Sequence, residues 1–218
     1  GDFEILQKLI NDLEDGETLQ LYCNFTYNEK DTITNGIEIH GRNITIDANG
    51  FTINASGHSR IFNITGSDVL IKNVTFINGT AITPETNGGA VYMESSDVIM
   101  ENAYFIDNDA EEASDIYVYS GKLVMSDCEL GNYDDNIHIG SDGEASLTNV
   151  IQSSAESGKC IWNDGILSLN NNSFDNEIYN SMGKIVTKTN VVILENQSIT
   201  INEHSYDIVA KITDDNGN

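Results

Sequence analysis

Two carboxylates and a histidine stand close together at Asp134, Asp135 and His138. Two acids with a base beside them are the equipment of glycoside hydrolysis, in which one carboxyl protonates the leaving oxygen and the other activates water. An eliminating enzyme needs instead a basic proton acceptor or charge clamp beside carboxylates that hold calcium. Arg42 and Arg60 are the only arginines, and the repeat count set out below puts neither near Asp134. No C-x-x-C, H-E-x-x-H or P-loop pattern occurs, and DDNGN at 214–218 is too short for an EF-hand loop. On residue types alone, no catalytic residue, no metal ligand and no cofactor is expected.

The residue types that do recur in a pattern are aromatic. Tyr92 lies between Val91 and Met93, Tyr117 between Ile116 and Val118, and His138 between Ile137 and Ile139. Trp162 follows Ile161, Tyr179 follows Ile178, and Tyr119 follows Val118. If each run is a strand with its aliphatic residues turned inward, the aromatic residues turn outward. Successive copies then stack Tyr92, Tyr117, His138, Trp162 and Tyr179 into one exposed column, with Tyr119 beside it. Exposed contiguous aromatics mark a place for sugar rings or a protein partner. The same column also serves cross-strand packing, which aromatic pairs favour in any sheet. A register error of one residue would bury it.

What must position that column is a repeat. SDVLIKNVTFING at 67–79 returns as SDVIMENAYFIDN at 96–108, and weaker copies occur at 42–51, 122–130, 144–152 and 166–174. Aligned, one column reads Ala48, Asn73, Asn102, Asp127, Asn149, Asn171, at spacings of 25, 29, 25, 22 and 22 residues. Three residues later a second column reads Phe51, Phe76, Phe105, Leu130, Gln152, Phe174, in which Gln152 fits poorly. Short alternating runs rich in Val, Ile and Thr predict strands. Repeats of this length cannot bury an apolar side alone and must stack, so the expected fold is an all-β parallel solenoid. At each corner the Asn tolerates unusual backbone angles, and at roughly 4.8 Å per coil the side chains of Asn73, Asn102, Asp127, Asn149 and Asn171 can bond as a ladder. Cys128 shares an inward column with Val74, Ala103 and Val150, which predicts a buried free thiol. The three cysteines cannot all pair internally and do not settle the redox compartment.

Residues 2–15 are the one convincing helix, with Phe3, Leu6, Leu9, Ile10 and Leu13 along one stripe, Asp2 as N-cap and Gly16 after the end. It is expected to lie as a lid over the first coil. The solenoid with its helix spans 1–183. After about residue 180 the pattern breaks, and 184–218 reads as a strand cap or as the start of another module. The longest insertions, 79–87 with Pro84 and 107–113 with Glu111 and Glu112, are corner loops that carry recognition or serve as spacers.

The 218 residues carry 35 acids against ten basic residues, a net charge of −25. That balance argues strongly against a nucleic-acid backbone as partner and keeps a long, strand-rich surface soluble; a monomer is expected. No apolar run is long enough to span a membrane. The chain opens GDFEIL, without a basic leader.

The phrases NITIDANGFTI at 43–53, VTFING at 74–79 and GGAVY at 88–92, with FIDN at 105–108, resemble two families. GGAVY and FIDN are similar to the GGA(I/V) and FxxN pair of chlamydial polymorphic membrane proteins. The stretch from Phe3 to about Asn180 resembles more closely the adhesin-like surface proteins of methanogenic archaea. This resemblance implies a right-handed single-stranded parallel β-helix displayed outside the cell. It also implies further immunoglobulin-like repeats in the same chain, which YDIVAKITDDNGN at 206–218 resembles in its opening strands. The implied function is non-catalytic attachment to another cell, through its proteins or glycans. Eight N-x-S/T sequons, at Asn24, Asn43, Asn54, Asn63, Asn73, Asn78, Asn171 and Asn196, would permit glycosylation. Those at Asn73 and Asn171 coincide with the ladder. β-Helices also host pectin lyases and polygalacturonases, but the NTD, GHG and RIK motifs of the latter are absent. A passive spacer is the third reading.

Overall fold

The computed structural model describes residues 1–133, 135–153 and 158–187, and beyond them the backbone of strands Val192–Ile193, Gln197–Thr200 and Lys211–Thr213. The chain winds into a parallel β-solenoid of about six turns behind a single helix. Each turn contributes to three parallel sheets. The first holds Ile37–His40, Phe62–Thr65, Val91–Glu94, the opening residues of Ile116–Ser126 and Ile137–Thr148, then Lys159–Asn163 and Glu177–Asn180. The second runs from Thr18–Gln20 and Asn43–Asp47 through the first halves of Asp68–Ile77 and Ser96–Ile106 to Ile166–Asn170 and Lys184–Thr187. The third is short and closes the turn, from Phe25–Thr26 to Ser173–Phe174. Inward residues of all three form one aliphatic and phenyl core, in which Ile37, Ile71, Phe76, Val91, Ile116, Ile137 and Ile161 are fully buried.

Two kinds of corner hold the turns in step. Between the second and third sheets, Asn73, Asn102, Asp127, Asn149 and Asn171 all have φ between 53° and 55°. This left-handed conformation costs most residues about 1–2 kcal/mol but suits Asn and Asp. Each amide donates toward the preceding coil: Asn73 to Asp47 at 2.9 Å, Asn102 to Asn73 at 3.0 Å, Asn149 to Asp127 at 2.9 Å and Asn171 to Asn149 at 2.6 Å. Burial pushes the Asp47 carboxyl up, but the Asn73 amide, the Asn49 N–H and Lys72 outweigh it and hold it below its usual range. Between the first and second sheets the corner carries Ser67 and Ser96 in early coils, then Gly121, Gly143, Gly165 and Gly183. A Cβ on Gly165 would overlap the carbonyl oxygens of Gly143 and Gly140. Only glycine lets the later strands bend this tightly.

The first repeat departs from the expected alignment. Asp47 pairs with Lys72 and Thr52 with Thr75, so four residues, 48–51, stand where the next coil has two. Asn49 and Gly50 take the left-handed conformation there, and Ile53, not Phe51, meets Phe76. Gln152 does occupy the Phe column and is buried, because its Oε1 accepts the N–H groups of Asp175 and Asn176 at the next corner. Asn108 of the FIDN phrase is a buried corner lock: its Oδ1 accepts from Gly79 N at 2.8 Å, and its Nδ2 donates to Asp115 at 3.1 Å. Cys128 is buried and free, and its thiol, which donates to Ser126 O at 3.2 Å, is pushed up to about 11 by burial.

The helix is Phe3–Asn11, four residues shorter at its C-terminal end than expected. Asp2 accepts from Ile5 N at 2.9 Å as N-cap, while Phe3, Leu6 and Ile10 bury against the first coil. Its end is capped from outside. The Arg42 guanidinium takes the carbonyl oxygen of Asn11, one of the acceptors a helix leaves open at its C-terminus, and that of Leu13 just beyond the helix. Gln7 forms two bonds with Glu38, donating to its carbonyl at 2.9 Å and accepting from its N–H at 2.7 Å. A side-chain amide thus does for Ile37–His40 what a preceding strand would do.

Beyond Thr187 the pairing turns antiparallel. Lys184–Thr187 pairs with Val192–Ile193, Glu177–Asn180 with Gln197–Thr200, and that strand with Lys211–Thr213. Asp134, the sequon at Asn196, and residues 206–210 and 214–218 of the immunoglobulin-like phrase lie outside the described residues.

Candidate functional site

The outward residues of the first sheet meet in register. Tyr92 pairs with Tyr117, Tyr117 with His138, His138 with Trp162 and Trp162 with Tyr179. Their inward neighbours Val91, Met93, Ile116, Val118, Ile137, Ile139, Ile161 and Ile178 are all fully buried, which fixes the alternation. Ring centroids along the column lie 5.9, 4.9, 5.9 and 4.6 Å apart. Tyr92 and Tyr117 are nearly parallel, at 4°, and Trp162 meets Tyr179 edge-on. Parallel rings at that separation are offset-stacked, so much of each face is turned to its neighbour along the axis.

The expected openness of the column is therefore only partly realised. Tyr119 is 51% exposed, whereas His138 and Tyr179 are each 9% exposed. What faces outward is largely ring edge and polar rim. The Tyr92 hydroxyl donates to Glu94 at 3.2 Å. Trp162 Nε1 donates to Asp164 Oδ2 at 3.2 Å, and His138 Nε2 lies 3.1 Å from the same oxygen. Glu112, from the loop at 107–113, approaches His138 Nδ1 at 3.8 Å. Burial, then the carboxylates of Glu112 and Asp164, raises the Tyr117 phenol above its ordinary value. Burial and Glu94 do the same to Tyr92. Both tyrosines stay neutral hydrogen-bonding groups.

Cations of the chain close the column at its two ends. The Arg60 guanidinium lies 5.1 Å from the Tyr92 ring, held by Asn35, Gly88 and Asn87. Lys159 Nζ lies 4.5 Å from the Trp162 ring and 3.8 Å from that of Tyr179. Between them a groove of about 220 Å³ opens beside Tyr117, Tyr119 and His138, lined also by Asp142, Asp164 and Met182.

Of the carboxylates and histidine weighed at 134–138, Asp134 lies outside the described residues, and Asp135 is not among the side-chain partners of His138. Those partners are Asp164 and Glu112, drawn from other turns. Asp135 lies at the back of the corner, with its backbone N–H bonded to Lys159 O. Sequence reasoning named Glu112 only as part of a corner loop and missed Asp164, Asp142 and Lys159. Asp164 carried a signal: it falls two residues after Trp162, on the same side of the chain. No group of three or more potential metal ligands occurs among the described residues. No helix among them is long and apolar enough to cross a membrane.

A second polar cluster is internal. Asp115 is fully buried and accepts from Asn108, Gly131 N at 2.8 Å and Asn136 at 2.9 Å. Burial raises its carboxyl to about 6 against those three bonds. Cys160, also fully buried, has its thiol raised well above the ordinary value by burial and by Asp115, Asp135 and Asp175. Neither group reaches a groove, so this cluster serves the fold.

Comparison of the chain with protein-family models, curated proteins and solved structures finds no match.

Proposed function

We propose that this chain is a non-catalytic binding and display module of a cell-surface adhesin, attaching to proteins or glycans on another cell. The observation that carries the reading is the unbroken column from Tyr92 to Tyr179, held at fixed spacing by a rigid solenoid and bordered by a polar groove. Binding sites combine aromatic walls with a few placed polar groups, and this face has both. The phrases shared with adhesin-like archaeal proteins support extracellular display, with further modules in the same chain. The stacking of the rings on one another favours a second reading, a passive spacer whose aromatics serve cohesion alone.

A glycan array together with a cell-binding assay tests the choice. The module is expected to bind cells or a defined glycan set, and the Tyr117→Ala, Trp162→Ala double variant to bind several-fold less at unchanged fold content. Binding by the double variant equal to the parent removes the aromatic face. No binding in either assay leaves the spacer. Release of reducing ends or unsaturated products from pectin-like substrates overturns the absence of catalysis.

A further inference from the structure

We infer that the groove beside Tyr117, Tyr119 and His138 receives the ammonium group of a lysine side chain from a protein partner. This deepens the adhesin reading and rests on it. Ring faces carry negative charge density, and a cation within about 6 Å of a ring is attracted to it. The column already holds two such cations from its own chain, Arg60 at Tyr92 and Lys159 at Trp162 and Tyr179. Among the described residues, the rings between these ends, at Tyr117 and His138, stack only on other rings.

That central stretch is also where the acids gather. Asp142 and Asp164 line the groove, and Glu112 stands on the other side of His138. Asp164 shares its Oδ2 between His138 and Trp162, while its solvent-shielded Oδ1 has no partner among the described residues. No lysine or arginine lines the groove among those residues. Carboxylates in a partly closed, low-dielectric recess project a field that a compact cation answers better than a neutral group.

Size and shape choose the carrier. At about 220 Å³ the groove is smaller than the roughly 300–1,000 Å³ of sites for drug-sized ligands. It suits one side chain, not a run of sugars. Tyr119, 51% exposed, and Met182, 64% exposed, supply an adaptable apolar rim for a methylene stem. The Lys159 ammonium shows the chain's own version of the arrangement, one turn away. A net charge of −25 draws a basic partner to the chain as a whole, and Asp142, Asp164 and Glu112 mark this groove within it.

The test is a titration, by NMR or calorimetry, of the full chain with blocked lysine (Nα-acetyl-lysine methylamide), its Nε-acetylated counterpart and glucosamine. Blocked lysine is expected to bind at one site with a dissociation constant on the order of 1 mM, weakening with salt, and the acetylated form not to bind. Asp142→Asn and Tyr119→Ala, both at exposed positions, are each expected to weaken binding at least about fivefold, the first with no loss of thermal midpoint and the second with only the small loss that follows from its stack on Tyr92. Equal binding of the free and acetylated forms overturns the proposal. So does binding that neither variant weakens, which places the amine elsewhere on the acidic surface. Glucosamine bound in preference to lysine overturns the protein source in favour of an amino sugar. Cell attachment that survives in variants unable to bind lysine sinks this site but not the adhesin reading. Lysine binding in a module that attaches to no cell does the reverse.

Discussion

Asn102 donates from Nδ2 to Asn73 Oδ1 at 3.0 Å, and Asp127, next in the same column, accepts from Asn149 but as a carboxylate has no proton to give Asn102. The ladder therefore runs as two segments, one ending on Asp47 and the other on Asp127. Asn102 Oδ1 is occupied instead by the Tyr104 hydroxyl at 3.0 Å. Replacing Asp127 by Asn supplies the missing donor while keeping a residue that tolerates φ near 54°. Asp127→Asn is expected to add about 1 kcal/mol and to raise the main thermal transition by about 2–4 °C. An unchanged or lower midpoint by calorimetry would show that the two segments do not communicate.

Asn149 sits mid-segment, donating to Asp127 and accepting from Asn171. Asn149→Ala removes both bonds and places a residue with a Cβ but no polar side chain in the left-handed conformation. A loss of about 2–3 kcal/mol is expected in denaturant titrations. Asn149→Gly is expected to lose only the hydrogen-bonding part, about 1–2 kcal/mol. If the two variants are equally stable, backbone conformation contributes nothing at this corner.

Asp115 makes a prediction about pH. Its carboxyl titrates near 6 in the fold against an ordinary 3.8, because burial disfavours the charge. For an acid raised in this way, ionisation opposes folding. The group costs nothing below about pH 4, and its penalty grows as pH rises through 6, to about 3 kcal/mol. Relative to Asp115→Asn, the parent is expected to lose about that much stability between pH 4 and pH 7, with most of the change between 4 and 6. Taking the difference between the two chains cancels the titration of the other acids. A difference that does not move with pH would mean that Asp115 holds its charge at no cost.

Gly165 makes a steric prediction. A methyl group there meets the carbonyl oxygens of Gly143 and Gly140, which belong to the adjoining turn and cannot swing aside. Gly165→Ala is expected to lower stability by about 1–3 kcal/mol. Gly143→Ala, whose Cβ would approach Val118 O less closely, is expected to cost less. The reverse order would show that the corner relaxes at Gly165.

Much of the solenoid is legible in the chain because its information is local and repeated. The Asn column, the inward aliphatic positions and the outward tyrosines each follow from a spacing within one turn. What lay beyond reading depends on partners in different turns. Asp115 is fixed by Asn108, Gly131 and Asn136, which share no periodic offset. Gln152 looks like a misfit until Asp175 and Asn176 are placed against it. The helix end at Asn11 is capped by Arg42, some thirty residues on, through the carbonyls of Asn11 and of Leu13 just beyond. The first repeat slipped in alignment because Asn49-Gly50 lengthens a corner without altering the look of the strand that follows. At the aromatic face the column follows from alternation, but the acids around it come from corners, whose lengths vary, and Lys159 opens a strand whose register shifts just after it.

The two bonds between Gln7 and Glu38 reach past the helix that carries them. A stack of identical rungs has no intrinsic reason to stop, and two copies meeting end to end could pair as readily as neighbouring turns do within one copy. By meeting the backbone of the opening rung with a carboxamide, the chain withdraws the template for fibril growth. Gln7→Ala should therefore show its effect less in melting than in concentration-dependent polymerisation, with a filament axis that continues the module's own.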